Sequence, residues 1–161
     1  MDKLYTLADK LNRTSFWIGN ADSKAGYILG FNASMFGFLA WIYQAQDFLS
    51  CLQLLFGVMF LISFCYSTYK AFRVLMPDLD RRGAAQSKWF FADIAELGFD
   101  EYKEWMNTAE EAAIENELYE QIHRTSRTAK NKFIFLKRSW VGLFSAMIFG
   151  VLTLILIIFG I

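Results

Sequence analysis

Residues 130–161 read KNKFIFLKRSWVGLFSAMIFGVLTLILIIFGI. The last charge is Arg138, and everything after it is uncharged. A helix that crosses the hydrocarbon core of a bilayer needs about 20 mostly apolar residues, so 139–161 reads as a membrane span entered directly from a basic segment. Two further runs have the same character, 25–43 and 48–69, with Asp47 the only charge between Ala25 and Tyr69. Runs this long exceed any ordinary strand. The fold class that follows is an all-α membrane protein with three transmembrane helices.

The basic residues orient those spans. All 16 Lys and Arg lie in 1–24 or 70–138, and the 44–51 link carries none. The positive-inside rule makes the two basic segments cytoplasmic and the link external. The N-terminus is then inside and the C-terminus outside. The expected organisation is a cytoplasmic amphipathic helix (1–24), two spans joined by a short external loop (25–69), a cytoplasmic helical region (70–138) and a third span (139–161).

Composition narrows the function classes. The chain has 161 residues, 55% of them hydrophobic and 18% aromatic, with a formal net charge of zero. That is too apolar for a disordered chain, and the balance gives no footprint for nucleic acid. The polar, amphipathic start does not resemble a cleaved secretory signal. Cys51 and Cys65, both in or beside the second run, read as apolar fillers, since two thiols make no zinc site. The Asn12 and Asn32 glycosylation patterns match by letters only, because one would be cytoplasmic and the other within the bilayer.

Local patterns add detail. Leu4, Leu7, Leu11 and Ile18 share one helix face, and Phe16 and Trp17 mark the approach to the membrane; the segment either lies on the membrane or packs on the cytoplasmic region. Gly26, Gly30, Ala33, Gly37 and Ala40 form a small-residue stripe on the first span, a pattern that lets helices approach closely. Asn32 is an amide at membrane depth, which either bonds a neighbouring helix or lines a polar path. Pro77, Asp78, Asp80 and Gly83 mark a turn after the second span. Trp89, Phe90, Phe91, Ile94 and Leu97 form an apolar segment ended by Gly98, with Asp100 as a cap. Beyond Asp100 no Gly or Pro occurs until Gly142, so a long helix is expected to continue into the third span, with Asn107-Thr108 and Thr125–Asn131 as places for a break. Acidic residues dominate its early part and basic ones its late part. Its stripe of Trp105, Ile114, Leu118 and Ile122 needs a partner, either 89–97 or another subunit.

No catalytic set is legible. His123 is the only histidine, which excludes a histidine-based metal cluster, and neither a phosphate loop nor a nucleophile elbow occurs. No cofactor and no enzymatic activity are expected.

Three segments carry a resemblance to a known family: Ala21-Asp22-x-Lys24-Ala25 at the first span, Phe90-Phe91-x-Asp93-Ile94-Ala95 followed by Tyr102, and Gln121-Ile122…Ser126…Lys132 before the last span. Over most of its length the chain resembles the transmembrane effectors of the Pycsar anti-phage system. The resemblance implies a partner cyclase that senses infection and makes cyclic CMP or cyclic UMP. It also implies an effector that binds this cyclic pyrimidine mononucleotide, impairs the bacterial inner membrane and stops the infected cell.

A cyclic nucleotide calls for cationic donors at its phosphate and aromatic faces at its base. Lys24, Arg124, Arg127, Lys130 and Lys132 are the candidate phosphate partners. Trp89, Phe90, Phe91 and Tyr102 are candidate stackers, and Asp22 or Asp93 a candidate acceptor for a base amine. Three spans are too few for a wide pore, so a homo-oligomer joined through the stripe is expected. The alternative is a non-enzymatic structural or regulatory subunit that holds a partner protein through its cytoplasmic helices.

Overall fold

Ser50 starts the second long helix by a reciprocal cap. Its hydroxyl accepts from the Gln53 backbone N–H at 3.2 Å, and the Gln53 side chain accepts from Ser50 N at 3.0 Å. This is the capping box, which satisfies two of the donors a helix start leaves open. The same helix ends at Met76, whose backbone is extended (φ −62°, ψ 126°), because the residue before a proline is driven out of the helical region.

The computed structural model describes residues 2–44, 50–76, 87–89 and 91–159. It contains α1 (Asp2–Gln44), α2 (Cys51–Leu75), α3 (Phe91–Glu96), α4 (Phe99–Thr108) and α5 (Glu111–Phe159), and no strand among the described residues. Helices α1, α2 and α5 are each long and apolar enough to cross a membrane. The expected turn at Pro77–Gly83 and the link around Asp47 lie outside the described residues. α1 runs without interruption from the amphipathic segment into the apolar run. The long C-terminal helix breaks once, at Ala109-Glu110, immediately after Thr108. Gly98, not Asp100, is the N-cap of α4; Asp100 sits in its first turn, where a carboxylate complements the positive end of the helix dipole.

The chain divides into two compact units. One comprises Met1–Gly19 and Pro77–Asn131. There Leu7 of α1 and Leu118 of α5 are buried, Lys3 is paired with Glu115, and its ammonium lies 5.9 Å from the Tyr119 ring. The hydrogen bond that the exposed Lys3 ammonium donates to Glu115 holds it above its usual pKa. The apolar face of α1 therefore packs on the later chain.

The other unit comprises Asn20–Met76 and Lys132–Ile161. Its buried positions follow a heptad on each helix: Ala21, Ala25, Ile28, Asn32 and Leu39 on α1, Gln53, Phe60, Ser67, Ala71 and Val74 on α2, and Lys132, Leu136, Ser139, Leu143, Ala146 and Thr153 on α5. Alternating steps of three and four keep one seam facing its neighbours, the geometry of knobs-into-holes packing. The seven-residue steps stack residues in layers about 10 Å apart, at 1.5 Å rise per residue. One layer is polar and joins all three helices. Asn32 donates to Ser67 Oγ at 3.0 Å and Thr68 Oγ1 at 3.1 Å, while Ser67 and Ser139 each donate a hydroxyl to the other's carbonyl, at 3.0 and 2.8 Å. The next layer is Leu39, Phe60 and Ala146, an apolar cluster.

Close approach occurs where glycine permits it. A Cβ on Gly142 would lie 2.9 Å from the Ser67 backbone, so α2 and α5 touch main chain to main chain there. At the basic end, the Lys70 ammonium lies 5.0–5.7 Å from the rings of Tyr69, Tyr66 and Phe135, and the Arg73 guanidinium 5.1 Å from Phe135. These cation–π contacts tie α2 to α5.

Candidate functional site

Ser87 organises the polar interior of the first unit. Its backbone N–H donates to Asp93 Oδ2 at 2.8 Å, and its hydroxyl donates to Glu117 Oε2 at 2.9 Å. The same hydroxyl accepts from Gln121 Nε2 at 2.6 Å and from the Trp89 backbone N–H at 3.1 Å. Ser87, Asp93 and Gln121 are all buried. Buried polar groups are retained when they are hydrogen-bonded, and here the loop, α3 and α5 each contribute. Lys88 pairs with Glu101 of α4 at 3.0 Å, which brings α4 alongside.

Arg124 lies on α5 two turns beyond Glu117, on nearly the same face. Its Nη2 is buried and has no hydrogen-bond partner. A guanidinium nitrogen shut off from water without an acceptor is costly, and the chemistry that relieves it is an oxyanion. The other cationic candidates differ. Lys24, Arg127 and Lys130 are exposed. Lys132 is buried in the second unit and donates to Asp22 Oδ1 at 2.5 Å, so two residues singled out as ligand contacts face each other as an ion pair.

The acceptor and aromatic candidates also separate. Asp93 is wholly buried and already accepts from Ser87. Trp89 is 37% exposed and Tyr102 is half-buried, both within the first unit. Phe91 is the first residue of α3, and Phe90 lies outside the described residues. Thus Trp89, Asp93, Tyr102 and Arg124 share the first unit, while Asp22 and Lys132 form a tie in the second. Ser87 and Glu117 were not singled out in sequence, since an isolated Ser and one Glu in an acidic tract carry no spacing signal. Among the described residues no group of His, Cys, Asp or Glu is arranged to hold a metal, and no catalytic constellation is present.

Asn32 joins α1 to α2 at membrane depth. Gly26, Gly30 and Gly37 face open space: nothing lies within 4 Å of a Cβ placed on any of them, and Ala33 and Ala40 are exposed beside them.

The profile of the Pycsar effector protein domain matches residues 6–160. The chain belongs to the Pycsar effector family. Membership supports a role as an anti-phage defence effector and implies a link to a nucleotide cyclase and a cyclic-nucleotide signal. With three candidate spans, this effector is a membrane protein. No curated protein and no solved structure matches it.

Proposed function

We propose that this Pycsar effector receives a cyclic pyrimidine mononucleotide, cyclic CMP or cyclic UMP, in the unit formed by 1–19 and 77–131. Its response is to impair the inner membrane and so halt the infected cell. The observation that carries the reading is the buried, unpartnered Nη2 of Arg124 in the unit that also holds the Ser87–Asp93–Gln121 cluster. Arg124 binds the phosphodiester anion, Trp89 or Tyr102 stacks on the base, and the buried amide and carboxylate meet its polar edge. Helices α1 and α5 continue from this unit into the spans, so a ligand that favours one helix arrangement biases the membrane segments. It does so only by its difference in affinity between the two states.

In this reading 1–24 and 70–138 are cytoplasmic, 139–161 ends outside, and the protein acts as a homo-oligomer. Support for self-association is the stripe of Gly26, Gly30, Ala33, Gly37 and Ala40. It repeats the three-and-four spacing of the buried seam on an open face of α1, where small residues let a second helix approach.

Titration calorimetry with cyclic CMP and cyclic UMP tests the reading. Arg124→Ala is expected to weaken binding roughly 10- to 100-fold, the loss of a charge-assisted hydrogen bond in a desolvated site. Arg127→Ala, at an exposed position, changes it by less than about threefold. Absence of binding by the unaltered protein, or equal losses in the two variants, overturns it.

A further inference from the structure

Helix α2 changes character along one exposed face. Met59 and Ile62 are apolar, Tyr66 and Tyr69 aromatic, and Arg73 cationic, with Lys70 beside Tyr69. Steps of three and four residues keep them on one side of the helix. From Met59 to Lys70 the rise is about 16 Å, close to half of a hydrocarbon core about 30 Å thick. One face therefore runs from acyl-chain depth to headgroup depth within a single leaflet, with Tyr and basic residues where the membrane turns polar.

Two features of the cationic end exceed what orienting the spans requires. First, its charge is unbalanced. In the unit formed by Asn20–Met76 and Lys132–Ile161, Lys24, Lys70, Arg73, Lys132, Lys137 and Arg138 are basic, and Asp22 is the only acid among the described residues. That acid is taken by Lys132. Second, the charge is gathered at one place. The Lys70 ammonium and the Arg73 guanidinium, one turn apart on α2, lie 5.7 and 5.1 Å from the same Phe135 ring of α5. Lys70 also approaches Tyr66 and Tyr69, at 5.3 and 5.0 Å, and is half-buried. A lysine that served orientation alone would extend its head into water. Arg138 follows Phe135 by three residues, on the same side of α5. Like charges one turn apart repel, and a ring attracts each cation without neutralising either. An anion shared between them removes the repulsion.

We propose that the face around Lys70, Arg73 and Arg138 holds the headgroup phosphate of one anionic phospholipid, with its chains along Ile62 and Met59. Basic pockets between membrane helices are suited to such headgroups. A zwitterionic lipid brings its own cation to the phosphate, which the excess positive charge disfavours. A soluble anion makes no use of the apolar stretch that continues from the cationic end. In the orientation proposed above this lipid belongs to the cytoplasmic leaflet. The site needs neither the nucleotide nor a second copy, since all of its residues lie in the second unit and the nucleotide is placed in the first.

The test uses the full chain in a mild detergent, titrated with phosphatidylglycerol or with phosphatidylcholine of the same chains. Retained lipid is counted by native mass spectrometry, and the melting temperature is followed in parallel. Phosphatidylglycerol is expected to be retained at one copy per chain and to raise the melting temperature, and phosphatidylcholine to do neither. The double variant Lys70→Ala/Arg73→Ala weakens retention on the order of tenfold. Lys24→Ala/Lys137→Ala removes the same charge from the same end and changes it by less than about threefold. Lys70→Arg keeps the charge and the retention, which separates loss of the site from loss of the fold. Equal losses in the two double variants overturn the proposal in favour of diffuse surface attraction. Equal retention of phosphatidylcholine overturns it as well, and so does equal stabilisation by glycerol phosphate, which would make the occupant a soluble anion. Nucleotide calorimetry on Lys70→Ala/Arg73→Ala is expected to match the unaltered protein, and Arg124→Ala to retain the lipid, so either site can fail without the other.

Discussion

Asn32 shows how opposing magnitudes decide the outcome of a substitution. Hydrogen bonds between membrane helices average about 0.6 kcal/mol and reach about 1.7. The unsatisfied Oδ1 offsets that gain, because burying a lone carbonyl costs about 1–3 kcal/mol. Asn32→Leu is therefore expected to change thermal stability in detergent little, or to raise it. Gly142 is the opposite case. Any Cβ meets the Ser67 main chain, which has no rotamer to move aside. Gly142→Val should destabilise by about 1–3 kcal/mol through overpacking and lower the melting temperature. Asp22→Ala removes the partner of a Lys132 side chain that is only 10% exposed. A fully buried pair broken this way costs 3–5 kcal/mol. Asp22 keeps 34% of its side chain exposed, so about 2–3 kcal/mol is expected here. The double variant Asp22→Ala/Lys132→Met should recover most of the loss.

The helices themselves were largely legible, because length and hydropathy carry the signal in a membrane protein. The capping box at Ser50 and Gln53 and the stop before Pro77 follow from local chemistry. The break between α4 and α5 falls just after Thr108, beside the Asn107-Thr108 pair, whereas α5 runs unbroken through Thr125–Asn131, the other place where a break was expected. The continuity of α1 is a matter of packing: Leu7 is buried in one unit and Ala25 and Ile28 in the other. One helix therefore contributes to both. Leu7→Ala should cost about 2–4 kcal/mol in the first unit, visible as faster proteolysis within 77–110, with the spans still protected by detergent. The heptad was present in the sequence but masked. Asn, Ser, Gln and Lys occupy core positions, and a search for apolar periodicity passes over them.

For the whole molecule, the separation of basic residues from the spans predicts an orientation that a thiol reagent can read. In the Cys65→Ser background Cys51, exposed at the start of α2, should react with a membrane-impermeant maleimide from the external side of intact cells. Labelling only after the membrane is opened would invert the topology.

Three spans, their mutual order and a basic approach to the last one are properties of the chain alone, because transfer of about 20 apolar residues into lipid outweighs any local preference. Which polar side chains meet was not a property of the chain alone. Asp22 and Lys132 both looked like ligand contacts, and only the packing of α1 against α5 pairs them. Arg124 could not be told from Arg127 until burial separated them, since residues three apart share one helix face and only packing decides which of them is covered. The layers of Asn32–Ser67–Ser139 and Leu39–Phe60–Ala146 likewise exist only when three distant segments are brought into register. That register is set by glycine contact and hydrogen-bond geometry, interactions between residues that composition and spacing do not connect.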